Sequence, residues 1–218
     1  MKRQGGQPPR EGGRHWLLSQ GVDPAPLTEL NAECLAQLVM RAAEGDLVAP
    51  APPLLVALQS QWASLPAHAL RRLSAAPFSL FDAGFASAPR WLELRSRGVH
   101  ELPQRGEPAY FEGSVARSIT RRMLVYGWHL ARSRPRAACL VFGSTIAAVE
   151  SLAACSLVAL EAAAERNADE LRPRWSNQFG FWRALLVAAS DGADQRLHEL
   201  LLGGLQRLAA ETLAAHDS

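Results

Sequence analysis

The chain has 218 residues, 48% of them hydrophobic and 20% charged, an ordinary balance for a globular protein with one sizeable core, and it excludes disorder as a description of the whole. The formal charge of +2 is too small to demand a nucleic-acid or anionic-membrane partner, so any such case depends on where the charges cluster. Lys2 is the only lysine, and this bias weakens any claim that a given arginine was selected over lysine for bidentate chemistry.

Residues 1–26 are set apart as a flexible basic tail on the composition of residues 1 to about 14, where two Gly-Gly pairs, Pro8-Pro9 and the cations Lys2, Arg3, Arg10 and Arg14 stand against Glu11, with no apolar run of the kind a secretory signal needs. A helical layer is expected over 27–97. Asn31 is placed to cap a helix carrying Leu35, Leu38, Val39 and Ala42. Pro52-Pro53 opens a second helix with Leu54, Leu55, Leu58 and Trp62, and Pro66 a third with Leu70 and Leu73. The stretch 76–85, with Phe78, Phe81 and Phe85, is too punctuated for a helix and reads as a structured loop packing over the core. Pro89 starts a short helix. Residues 98–107 turn to Gly, Pro and charge and mark a boundary, after which 108–218 form a second helical part, the whole packing as one unit.

In that second part Pro108 starts a long helix to about Arg132. Behind Pro135 come a short helix, a turn at Gly143-Ser144, a helix to about Ala153, and a third from the cap Ser156 to about Asn167. After the connector 173–177, helices run over Phe179–Ala189 and Ala193–Ala214. No period-two strand appears, so the expected fold is all-α: a multi-helix bundle with a helix-turn-helix-like segment. The most apolar stretch, 137–164, is interrupted by Glu150 and Glu161 and is too broken to span a bilayer. Cys34, Cys139 and Cys155, odd in number and set in apolar helical surroundings, read as buried free thiols. Together these features point to the cytoplasm.

No catalytic site is expected. The histidines at 15, 68, 100, 129, 198 and 216 are scattered without the spacing of a metal pair, so neither metal nor cofactor is expected. Gly113-Ser114 lacks the context of a nucleophile elbow. Glu150 and Glu161 read as solvated, and Asp82 as a turn residue capping local backbone N–H groups.

The long helix carries the most informative pattern. At 100° per residue Val115, Ile119, Met123, Tyr126 and Leu130 share one stripe, while Arg117, Arg121, Trp128 and Arg132 fall nearly opposite. Arg134 and Arg136 extend the series, and no acidic residue intervenes between Glu112 and Glu150. This is a footprint suited to phosphates or to an acidic partner, or else a solvated face neutralised by another helix. The next segment, 135–152, has the small residue, turn glycine and apolar anchors of a helix-turn-helix in Cys139, Gly143, Phe142, Val149 and Leu152, with Ser144 as the cap at the turn and Thr145 opening the second helix. That helix has no Arg, Lys, Asn or Gln to read base edges, and a tight turn between two core helices explains the same residues.

From about Leu124 to Trp175 the chain resembles the flagellar master-regulator subunit FlhD. The likeness rests on Leu130-Ala131 at the end of a long helix, a small-residue run into Phe142-Gly143, Ser151-Leu152-Ala153-Ala154-Cys155-Ser156-Leu157 leading to Leu160, then Glu165-Arg166-Asn167 and the exit Leu171-Arg172-Pro173-Arg174-Trp175. The resemblance implies an all-helical, dimerising co-activator of bacterial flagellar transcription. It would be non-enzymatic and would reach DNA through a partner regulator subunit. On the charge pattern and the helix-turn-helix-like segment, contacts to nucleic acid or an acidic partner would come from Arg117, Arg121, Arg132, Arg134, Arg136 and Thr145. The alternative is a helical adaptor or accessory subunit of a larger assembly such as a secretion system, using the row Leu197, Leu201, Leu205 and Leu208 with Gly203-Gly204 against a protein partner or a second copy.

Overall fold

Prolines at helix starts and leucines at helical spacing account for most of the architecture. The computed structural model describes residues 12–45, 50–85, 87–97, 108–166 and 168–215. Among these it has twelve α-helices, a short 3-10 turn and one pair of two-residue strands. The expected boundary at 98–107 lies outside the described residues, as do residues 1–11 of the expected tail. Within the rest of that tail a helix, α1 (Gly12–Ser19), brings Leu17 into the core, followed by buried Val22. This corrects the reading of that stretch as tail: two apolar residues past the glycines suffice to anchor it.

Helix α2 (Ala25–Ala43) begins six residues before the expected cap, with Asp23 Oδ1 accepting the Ala25 N–H. Asn31 is inside it and buried, and it holds a different part of the chain. Its Nδ2 donates to Phe78 O at 3.1 Å and its Oδ1 accepts the Leu80 N–H at 3.0 Å. A polar side chain at a core position is tolerated because a loop without regular structure needs those hydrogen bonds. The Pro52-Pro53 helix comes as two pieces, α3 (Pro53–Ala57) and α4 (Gln59–Ala63), broken at Leu58. α5 (Ala67–Ser74) follows Pro66 in extended conformation.

The loop 76–85 runs through the core, with Phe78, Leu80, Phe81, Ala83 and Phe85 all buried. Its strand β1 (Phe81–Asp82) pairs antiparallel with β2 (Arg172–Pro173), a ladder too short to leave any period-two signal in the sequence. α6 (Ala88–Arg97) follows. The long helix α7 (Gly113–Ser133) starts later than Pro108, because Tyr110 and Phe111 are already buried before it. Then come α8 (Pro135–Phe142), α9 (Ile146–Ala153), α10 (Leu157–Arg166), the 3-10 turn Ala168–Glu170, α11 (Phe179–Ser190) and α12 (Asp194–Ala214). The two halves interleave: α2 packs on α7, α5 on α11 and α6 on α9. Gly127 lets this happen at α7, since a Cβ there would sit 2.4 Å from the Phe85 ring. No single helix among the described residues is long and apolar enough to cross a membrane.

On α12, Leu197, Leu201 and Leu208 are buried and Leu205 packs against the core. The row expected to receive a partner helix is therefore internal. Gly204 permits close approach, but to the molecule's own Phe78, whose ring would lie 2.7 Å from an added Cβ.

Candidate nucleic-acid interface

Helix α7 is wrapped by α2, α8, α9 and α10. Its buried arc is wide, taking Ala116, Thr120, Leu124, Gly127 and Ala131 as well as the expected Ile119, Met123 and Leu130. What remains exposed is a narrow stripe of Arg117, Ser118, Arg121, Arg122, Val125, His129 and Arg132. Trp128, expected on the open face, is half-buried, and its indole N–H donates to Cys155 O at 2.9 Å. It ties the α9–α10 turn to α7 and leaves its ring face to Arg132, whose guanidinium carbon stands 4.7 Å from the ring centroid.

The arginines divide by partner. Arg117 pairs with Glu165 of α10 at 3.2 Å and Arg122 with Glu33 of α2, so the two edges of the stripe are neutralised by the flanking helices. Arg121, Arg132, Arg134 and Arg136 are exposed and have no ion pair among the described residues. Arg134 lies against Gly21, where an added Cβ would be 3.2 Å from its Nη2. Unneutralised charge thus lies along the middle of α7 and collects where α7 gives way to α8.

Helices α8 and α9 are bent by 114° across the turn Gly143–Thr145, within the range of helix-turn-helix pairs. Gly143 is left-handed at φ 59, and both its N–H and that of Ser144 reach Cys139 O. The cap of α9 is Thr145, whose Oγ1 accepts the Ala148 N–H at 3.2 Å, and not Ser144, whose hydroxyl donates to Phe85 O. Thr145 is only 8% exposed, so it is a structural cap and not a contact residue. The open face of α9 is Ile146, Ala147 and Glu150; it has no Arg, Lys, Asn or Gln, and its one polar side chain, Glu150, can only accept, as from a cytosine amino group.

A second group of arginines escaped sequence reasoning. Arg174, 8% exposed, donates from Nε to Ser79 O at 2.8 Å and from Nη2 to Phe142 O at 2.5 Å, with Asp82 Oδ1 at 3.7 Å from Nη2. Arg90, 1% exposed, donates from Nη1 to Ala83 O, while its Nε and Nη2 are buried without a hydrogen-bond partner. Burial lowers the pKa of both guanidinium groups, and the Asp82 carboxylate opposes that shift in each. Asp82 also accepts the Phe85 N–H, as expected of a turn residue. Gly84, at φ 80, could not carry a Cβ, which would fall 1.7 Å from Arg90 Nη1. The signal available in sequence was the alternation Arg172-Pro173-Arg174 next to a tryptophan, which reads equally as an exposed connector.

Cys34, Cys139 and Cys155 are not joined in a disulfide; the first and last are buried and Cys139 is half-buried. Burial pushes the Cys34 thiol well up and raises Cys139 as well. Among the described residues no group of three or more His, Cys, Asp or Glu could hold a metal ion. Compared with protein-family models, with curated proteins and with solved structures, the chain matches none.

Proposed function

We propose that the protein is a non-enzymatic transcriptional regulator or co-activator of the kind the FlhD resemblance implies, working in the cytoplasm on bacterial flagellar genes. It holds duplex DNA by its phosphates through Arg121, Arg132, Arg134 and Arg136 and takes its choice of site from a partner subunit. The observation that carries this reading is the set of four exposed arginines without ion pairs among the described residues, beside two others that neighbouring helices do neutralise. Dependence on a partner follows from α9, whose open face has no donor for bases and a single acceptor, Glu150, too little to select a site.

Duplex binding measured between about 50 and 200 mM salt tests it. Each phosphate neutralised contributes about −0.9 to the log–log slope, so full engagement of the four gives about −3.6. Replacing all four by Gln should flatten the slope and leave the melting temperature within a few degrees, since exposed charges contribute little to stability. Absence of binding at the lower salt would sink the reading for the free protein. The weight would then pass to the helical adaptor of a larger assembly, which exposed Leu157 and Val158 favour.

A further inference from the structure

Two successive helices repeat one pattern. Thr145-Ile146-Ala147-Ala148-Val149-Glu150 and Ser156-Leu157-Val158-Ala159-Leu160-Glu161 each begin with a hydroxyl cap, whose oxygen accepts the N–H three residues on at 3.2 Å in both. In each, the fourth and fifth residues pack inward, and the second, third and sixth are exposed. Both helices pack on α7, α9 on α6 as well, and Trp128 fixes the intervening turn at Cys155. Ala154 between them is exposed, and Leu157 and Val158, 48% and 75% exposed, follow it in the chain. Glu150 and Glu161 have no ion pair among the described residues, whereas Glu33 and Glu165 are both taken by arginines of α7.

From this we infer that the outward face of α9 and α10 is the docking site for the partner subunit, and that the partner presents an amphipathic helix whose apolar stripe is flanked by Lys or Arg. The inference rests on the proposed function in requiring a partner. Large apolar side chains left in water mark an interaction surface, and the two unneutralised carboxylates select the sign of what surrounds the occupant's apolar stripe. Phosphate and anionic lipid are repelled by the same carboxylates. A second copy of this chain is disfavoured as well, because two-fold pairing of this face would bring four like-charged carboxylates into one interface with no cation among the face's own residues to offset them.

The test uses the full chain and two synthetic helical peptides of about eighteen residues, identical in their leucine stripe and flanked in one by Lys and in the other by Glu. Fluorescence anisotropy should show the Lys-flanked peptide binding about tenfold or more tightly than the Glu-flanked one. Val158→Asp should weaken it by a further factor of about ten without changing the circular dichroism, and the pair Glu150→Gln and Glu161→Gln should abolish the preference for Lys. Equal binding of the two peptides, no binding of either, or full binding by Val158→Asp overturns the inference. So does a dimer in sedimentation that Val158→Asp splits, which would put a second copy on this face. The DNA affinity of Val158→Asp should match that of the parent; a parent that takes the Lys-flanked peptide but no DNA loses the proposed function and keeps this docking face.

Discussion

Two groups of arginines, one buried around β1 and β2 and one exposed along α7 and into α8, put the same side chain to opposite uses. What separates them is whether backbone carbonyls nearby lack partners. Arg174 reaches Phe142 O at the end of α8 and Ser79 O in the core loop. Arg72 likewise donates to Ala188 O and Ala189 O at the end of α11. The last carbonyls of a helix have no partner within it, and a guanidinium offers five donors to satisfy them. Within α7 the carbonyls are already bonded in the helix, so its arginines meet carboxylates, water or, for Arg132, the Trp128 ring, while Arg134 beyond the helix end reaches one carbonyl, Ser133 O. A buried guanidinium here is a backbone connector, and the exposed ones that no carboxylate takes are open to a ligand.

The sharpest way to break this comparison is Arg174→Met. It keeps the apolar stem but strands two buried carbonyls and removes one of the two guanidinium groups beside Asp82, so the loss should be about 3–5 kcal/mol in urea unfolding. Retention of native stability would mean that the carbonyls find other donors and that the buried group is dispensable. Arg90→Met should cost less, about 1–2 kcal/mol, because one hydrogen bond, to Ala83 O, and the stacking over the Trp91 ring are lost while the two orphaned donors disappear with them. If Arg90→Met proves the more damaging of the two, connection to carbonyls is not what holds these side chains inside.

The same distinction explains what could be read from the sequence. The helices were legible because leucine spacing and prolines at helix starts are local signals, and so was the turn at Gly143, whose left-handed backbone only glycine adopts without cost. Asn31 was misread because an Asn ahead of a leucine stripe looks like a cap. Its true partners, Phe78 and Leu80, lie more than forty residues away, beyond any local pattern. The choice of Thr145 over Ser144 as cap was equally out of reach. Both residues can cap, and what decides is that the Ser144 hydroxyl is drawn to Phe85 O. For the arginines, the sequence displayed a cluster without acids, but the carboxylates that neutralise Arg117 and Arg122 come from α10 and α2. Only packing reveals that Arg121, Arg132, Arg134 and Arg136 are the members left over.

Tyr126 offers the smallest effect and the finest test, since it lies on α7 between the two environments. Its ring meets Phe142 edge-on at 5.9 Å, and its hydroxyl is buried without a hydrogen-bond partner. Burial, assisted by the negative charge of Asp23, pushes its pKa up to about 12, against about 10 for an unfolded tyrosine. Below pH 10 the phenol keeps its proton in both states, and the raised pKa contributes its full stabilisation. As the pH rises from 10 through about 12 the unfolded chain gives up this proton first, so the folded state binds more protons and stability falls. Tyr126→Phe removes that contribution to the alkaline limb. At pH 8 it should alter stability by no more than about 0.5 kcal/mol, because the hydroxyl removed has no partner to strand. Urea midpoints of parent and variant at pH 8 and pH 11 decide the matter: they should coincide at the lower pH, with the variant losing less at the higher. A marked loss at pH 8 would show that the hydroxyl is bonded after all and belongs with the connected groups around Arg174.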